Sequence, residues 1–189
     1  RTRWLLAGAG AAAVFVVVYI SFMGYAGDRV TAWLHPELDP GDTGYQILQS
    51  LYAIGSGGLF GLGYGKSRQK YLYLPFQYND YIFAVICEEL GLVGAMAIVA
   101  LFAVTILRGY WIALNARDRF STVLAAGLVT LIAVQTILNL CVVTNLLPST
   151  GIALPFFSYG GTALAVNLGE MGIVLGISRG RNRRKIQEA

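Results

Sequence analysis

From Leu90 to Leu107 the chain runs 18 residues without a charge. No other feature narrows the fold as much, because about 20 apolar residues in a helix cross the roughly 30 Å hydrocarbon core of a bilayer. Lipid offers the backbone no hydrogen-bond partner, so such a segment must satisfy its own amides and carbonyls. Three more runs fit the same reading: Trp4–Tyr25, 22 residues without a charge, Phe120–Leu147, and the shorter Thr162–Ile177. The expected fold is all-α, a polytopic membrane protein in one domain. Its four transmembrane helices fall at about 4–25, 81–107, 120–147 and 162–177, with a long loop at 26–80 and a basic tail at 178–189. Composition agrees. The chain is 56% apolar and 13% charged, whereas soluble domains carry about a quarter charged residues.

The charges fix an orientation. Arg1 and Arg3, then Arg108, Arg117 and Arg119, then five cations between Arg179 and Lys185 make ten of the fourteen, all on one side of a four-span arrangement. The other side has four cations (Arg29, Lys66, Arg68, Lys70) against five acids (Asp28, Glu37, Asp39, Asp42, Asp80). The positive-inside rule makes both ends cytoplasmic and the 26–80 loop extracytoplasmic. Trp4–Tyr25 is too long for the 7–15-residue core of a signal peptide. Because the sequence begins at Arg1 and enters a span almost at once, it is expected to be a piece of a larger protein. Cys87 and Cys141 both lie in apolar runs, so neither a disulfide framework nor a metal spacing arises from them.

Within the loop, His35 stands alone among acids and prolines and reads as solvated. Tyr45–Ile54 places apolar residues at 47, 48, 51, 52 and 54 opposite Gln46, Gln49 and Ser50, which suits an amphipathic helix lying on the membrane. Gly55–Gly65 holds six glycines and leads into Lys66–Ser67. A phosphate-binding P-loop would need a glycine at position 60, which is Phe60, and a preceding strand. The glycines instead suit irregular backbone folded against a cavity.

The stretch Lys66–Gly94 gathers the unusual chemistry: three cations in five residues, an aromatic run broken by Pro75, the carboxylate of Asp80, then Glu88 and Glu89 inside an apolar helix. Such cations can hold phosphate oxygens, and Asp80 can take a proton from a hydroxyl nucleophile. Equally, the cations can snorkel to lipid headgroups, and Asp80 can cap the helix that starts at Tyr81. At helical spacing Glu88 falls on a face within reach of Asp80's, and Glu89 turns away. Gln135, Asn139 and Asn145 read as interhelical hydrogen-bonding amides, and Gly172 with Gly176 as a close-packing pair. Pro148–Gly161, uncharged but broken by prolines and glycines, reads as a segment folded back into the bundle, with Gly160 or Gly161 permitting a close backbone approach.

Three runs carry a resemblance: SLYAIGSGGLFGLGYGKSRQKYLYLP, NDYIFAVICEELGLVG and LLPSTGIALPFFSYGG. Together they resemble the C-terminal half of the SEDS family (shape, elongation, division, sporulation), and its division and sporulation branch, FtsW and SpoVE, more than RodA. The resemblance covers about Asp28 to Ile177. The family's aspartate motif (T/S)DFIF matches Asn79–Phe83, its QK…LP element matches Gln69, Lys70, Leu74 and Pro75, its EELG matches Glu88–Gly91, and its LPFxSYGG matches Leu154–Gly161. Asn79 and Tyr81 depart mildly from the pattern. Phe76 stands where a Glu is usual, and Ala163 where a Ser is common.

The resemblance implies the last four helices of a ten-span fold in the bacterial cytoplasmic membrane. It implies a peptidoglycan glycosyltransferase that polymerises lipid II, the undecaprenyl-pyrophosphate-linked disaccharide peptide, at the outer face. The implied partners are a class B penicillin-binding protein transpeptidase and divisome or elongation proteins, with no nucleic acid. Asp80 would be the general base. Lys70 and Arg68 would steady the pyrophosphate, with Gln69, Glu88, Ser158, Tyr159, Gly160 and Gly161 around the substrate. No metal cage is evident, although a divalent cation (Mg or Mn) could assist. Two rivals remain: a lipid II flippase, whose polar path Glu88, Asn139 and Glu170 would line, and a non-catalytic scaffold for the transpeptidase.

Overall fold

A computed structural model describes residues 24–38, 43–67 and 79–187, and every regular element among them is helical. The chain divides into two compact units, Arg1–Leu48 and Gln49–Ala189. The expected first span at 4–25 lies almost wholly outside the described residues. In the first unit, α1 (Gly24–Leu34) gives way to a 3₁₀ turn over Pro36–Leu38. The residue before a proline resists helical backbone, which stops α1 ahead of His35. His35 Nδ1 lies 3.4 Å from Glu37 Oε1, and both side chains are exposed.

The helix expected on the membrane surface forms as α2 (Thr43–Ser56), but its buried face differs from the expected one. Burial falls at Gly44, Ile47, Ser50 and Ala53, one residue in three, while Tyr52 is 59% exposed. Ser50, expected opposite the apolar face, is fully buried, and its hydroxyl donates to the Val143 carbonyl at 3.3 Å. Small side chains at 50 and 53 let this end of α2 sit directly against the last turn of the helix bearing Val143.

The second unit contains three long helices that pack against one another: α3 (Ile82–Leu114), α4 (Arg119–Val143) and α5 (Gly161–Gln187). Each includes a stretch long and apolar enough to cross a membrane: Ile82–Leu114, Arg119–Val143 and Gly161–Gly180. The helices outrun or fall short of the runs read from hydropathy. α3 continues through Arg108, whose guanidinium lies over the Trp111 ring at 4.3 Å, so the charge does not end the helix. α5 continues past Ile177 into the basic tail. α4 stops at Val143 because Asn145 takes a left-handed φ of 59°. The amide of Leu146 then reaches the Cys141 carbonyl (2.7 Å) and that of Asn145 reaches Val142 (3.0 Å), a Schellman ending.

α3 is broken. Gly91 has φ 66° and ψ −169°, so a short segment, Ile82–Leu90, meets a long one at a sharp bend. A straight helix would hold Ile82 and Phe102 about 30 Å apart. Yet Ser158 bonds to Asn79 while its neighbour Phe157 packs its ring 5.8 Å from that of Phe102. The short segment therefore runs back alongside the long one. One apolar cluster unites Tyr81, Phe83, Ala84, Val85 and Cys87 with Ala95, Phe102, Val143 and Leu154. A second, toward the α3–α4 turn, joins Ile112, Ala113, Ala125, Val129 and Val174.

Candidate active site

Breaking a helix orphans backbone groups, and inside a membrane domain those groups need protein partners. At Gly91 the bonds lost are those from the amides of Leu92 and Val93 to the carbonyls of Glu88 and Glu89. All four groups pair with the glycine-rich loop instead. Leu92 donates to Gly58 O (2.9 Å) and Val93 to Leu59 O (3.2 Å), while Glu88 O accepts from Leu62 (2.9 Å) and Glu89 O from Gly63 (3.0 Å). The approach demands glycine on both sides. A Cβ on Gly61 would stand 2.2 Å from Glu89 O, and one on Gly91 2.3 Å from Gly61 N. Both residues also have left-handed φ, 76° and 66°. Beneath this junction the Ser67 hydroxyl donates to Glu88 Oε2. Both side chains are about 1% exposed, and Glu89 is 7% exposed.

The short segment of α3 presents Asp80 at its start, half-buried. Two side chains from elsewhere hold the backbone at this point. Asn139, on α4, donates both hydrogens of its amide: one to Asp80 O (2.7 Å), the other to Ile152 O (2.8 Å). Ser158 donates to Asn79 O (2.5 Å) and accepts from the Leu154 amide (2.7 Å). Tyr81 adds a long contact from its hydroxyl to Ser149 Oγ, 3.5 Å. Gly151 has φ 70°, and a Cβ there would lie 3.5 Å from Asp80 Oδ2. The carboxylate thus faces the bare backbone of the 148–160 loop. The helix cap itself is Tyr81, without a side-chain capping bond, so Asp80 stands one residue outside the cap position. A base held on fixed backbone beside an open stretch of loop can accept a proton from a positioned hydroxyl.

A model of the FtsW, RodA and SpoVE cell cycle proteins matches residues 1–183. The chain belongs to the FtsW/RodA/SpoVE family. It is 50% identical over 151 residues to the stage V sporulation protein E of Bacillus subtilis, covering 80% of this chain and 41% of that protein. It is 44% identical over 180 residues to the probable peptidoglycan glycosyltransferase FtsW of Trichlorobacter lovleyi, covering 95% and 47%. Among solved structures, it matches a peptidoglycan synthase complex described as coordinating polymerization and crosslinking. The TM-score is 0.76 at 29% identity, over 95% of this chain and 49% of that one. A mutant of the Thermus thermophilus rod shape determining protein RodA matches with TM-score 0.54 and 33% identity, over 70% and 40%. This FtsW/RodA/SpoVE chain is a polytopic α-helical membrane protein, and it spans about half the length of the curated relatives it matches.

The residues singled out from the family pattern scatter in their surroundings. Asp80 and Ser158 come together through Asn79. Glu88, expected at the substrate, is packed away and bonded to Ser67. Tyr159 is 83% exposed. Arg68, Gln69 and Lys70 lie outside the described residues. Gly160 and Gly161 were expected to admit a close approach, but among the described residues a Cβ on Gly161 meets nothing within 4 Å, and one on Gly160 only Ala163 Cβ at an ordinary 3.5 Å. In this FtsW/RodA/SpoVE chain the loop glycine beside Asp80 is Gly151, set apart by its φ of 70°, while a Cβ there would also be at an ordinary 3.5 Å from Asp80 Oδ2. The signal for Gly151 was the turn-prone Pro148-Ser149-Thr150-Gly151 run. Among the described residues no three His, Cys, Asp or Glu side chains are grouped to hold a metal ion.

Proposed function

We propose that, within a family-length polypeptide, this chain supplies the catalytic end of a peptidoglycan glycosyltransferase that polymerises lipid II, in cell division or sporulation. The observation that carries the reading is the Asp80 carboxylate beside Gly151, on backbone held by Asn139 and Ser158. Asp80 takes the proton of the acceptor sugar hydroxyl as that oxygen attacks the donor's anomeric carbon. The new glycosidic bond forms, the bond from that carbon to the pyrophosphate oxygen breaks, and the lipid pyrophosphate leaves with the electron pair. Lys70 and Arg68 neutralise the charge that develops there. A divalent cation, Mg²⁺ or Mn²⁺, would supply further positive charge at the pyrophosphate.

The clustered cations support an extracytoplasmic Asp80, with the α3–α4 turn and the end of α5 in the cytoplasm. A class B penicillin-binding transpeptidase is the partner we assign, working beside this chain in a divisome or elongation assembly. The transport reading draws less support. Its polar path would run through Glu88, Asn139 and Glu170, each at most 8% exposed among the described residues.

The test is polymerisation of purified lipid II by the family-length protein carrying Asp80→Asn. Loss of the base should lower the rate roughly 10²–10⁴-fold with the fold retained. Near-parent activity would remove the catalytic assignment and raise the flippase and scaffold readings.

A further inference from the structure

Asn139 is the side chain that the reaction described above leaves without a role and the geometry does not. It lies on α4, is 1% exposed, and uses both amide hydrogens on carbonyls from two different segments, Asp80 at 2.7 Å and Ile152 at 2.8 Å. Two carbonyl acceptors leave only one orientation of the amide, nitrogen toward both. Its Oδ1 is then a buried acceptor with no partner among the described residues. A side chain present only to fill space between helices would not need two donors at that end. No other uncharged side chain supplies two hydrogens from one planar nitrogen except glutamine, which is a methylene longer.

We infer that Asn139 is a positioning residue for the glycosyl transfer: one amide sets the Asp80 backbone against the Ile152 backbone and so fixes the base in front of Gly151. The inference rests on Asp80 being the base. The segment needs such a fixture because Asp80 precedes the helix, outside its regular hydrogen bonding, and its cap residue makes no side-chain capping bond. Ser158 secures the neighbouring Asn79 carbonyl, but it belongs to the loop itself, whereas Asn139 belongs to a long helix and gives the loop and Asp80 a common rigid reference. Catalytic groups tolerate displacements well under 1 Å before rates fall steeply.

The experiment is a double-mutant cycle in the family-length protein, measured as lipid II polymerisation with purified material. Asn139→Leu keeps the number and branching of the side-chain heavy atoms and removes both donors. It should lower kcat about 10–100-fold and change KM for lipid II less than about 3-fold, as expected when only positioning in the transition state is lost. In the Asp80→Asn background the same substitution should change residual activity less than about 2-fold, because there is no base left to position. Asn139→Gln is the second variant. It keeps both donors, and therefore the fold, but displaces them by a methylene; it should lose at least about 10-fold in kcat. Parent-like kcat in either variant overturns the inference, as does an equal fold-loss with and without the Asp80 carboxylate, the mark of a merely structural residue. Failure of the underlying reading shows separately: Asp80→Asn alone would then polymerise at the parent rate.

Discussion

At the Leu114–Arg119 turn, α3 ends and α4 begins with bonds that are all local. The Asn115 amide and side chain both return to Trp111 O, at 3.2 and 2.8 Å. Asp118 accepts from the Ser121 amide at 3.0 Å and from its hydroxyl at 2.8 Å. At the opposite end of the same helices, the bonds that fix the chain join residues far apart in sequence. Asn139 and Asp80 are separated by 59 positions, Ser158 and Asn79 by 79, and Ser67 and Glu88 by 21. The first end needs only to reverse the chain. The second must hold irregular backbone, which the bilayer tolerates only where it is buried in protein or lines a water-filled cavity. A site that presents one carboxylate on non-helical backbone therefore needs a dense set of long-range bonds around it.

The comparison predicts that the largest losses of stability come from the broken helix. Gly91→Ala puts a methyl 2.3 Å from Gly61 N and 2.6 Å from Leu59 O, both backbone, on a residue with left-handed φ. Neither neighbour can yield without releasing the four bonds that seal the break. We expect a loss of at least about 3 kcal/mol, seen as poor recovery of folded protein in detergent or a collapsed thermal transition. A parent-like transition would show that the junction is not what holds this end together.

Sequence reading separated the two ends in the same way. Hydropathy located α3, α4 and α5, and charge clustering located the end opposite Asp80, because both depend on composition averaged over many residues. The break at Gly91 was not legible. A glycine inside a strongly apolar run costs a helix only about 1 kcal/mol, and the loop that makes the break stable lies some 30 residues away in sequence. The buried face of α2 was misjudged for a related reason. Ser50 is polar in isolation, and only the Val143 carbonyl makes its burial favourable. Asp80 stood out because a single carboxylate at the start of a span is conspicuous, whereas Asn139 looked like any interhelical amide.

Next in size is the buried pair below the junction. Ser67→Ala leaves Glu88 Oε2 without the hydroxyl it accepts from, and Glu88→Leu leaves the Ser67 hydroxyl without its acceptor. Each should lower stability by about 1–3 kcal/mol, the usual effect of one buried polar group losing its partner. The double variant should lose clearly less than the sum, since neither group is then left behind. Strict additivity in thermal or denaturant unfolding would mean that the two side chains do not depend on one another.

The smallest effect belongs to the local end and concerns pH. Asp118 lies between the spans, at the start of α4, where the Ser121 amide, then the Ser121 hydroxyl, and to a lesser degree the Phe120 amide and Arg117, hold its carboxyl below the ordinary 3.8. A carboxylate depressed in the folded state adds stability above its unfolded pKa and loses it as pH falls through the folded value. The contribution is thus fully present at neutral pH and fades progressively as pH falls below the ordinary 3.8 toward the lower folded value. Full exposure and salt screening keep it small. Asp118→Asn retains an acceptor for the Ser121 amide but cannot titrate, so it should lie slightly below the parent near pH 7, show a shallower fall in thermal stability on acidification, and converge with the parent in strong acid. If parent and variant lost stability in parallel between pH 6 and pH 3, the acid sensitivity would originate elsewhere. The cap would then act through geometry alone.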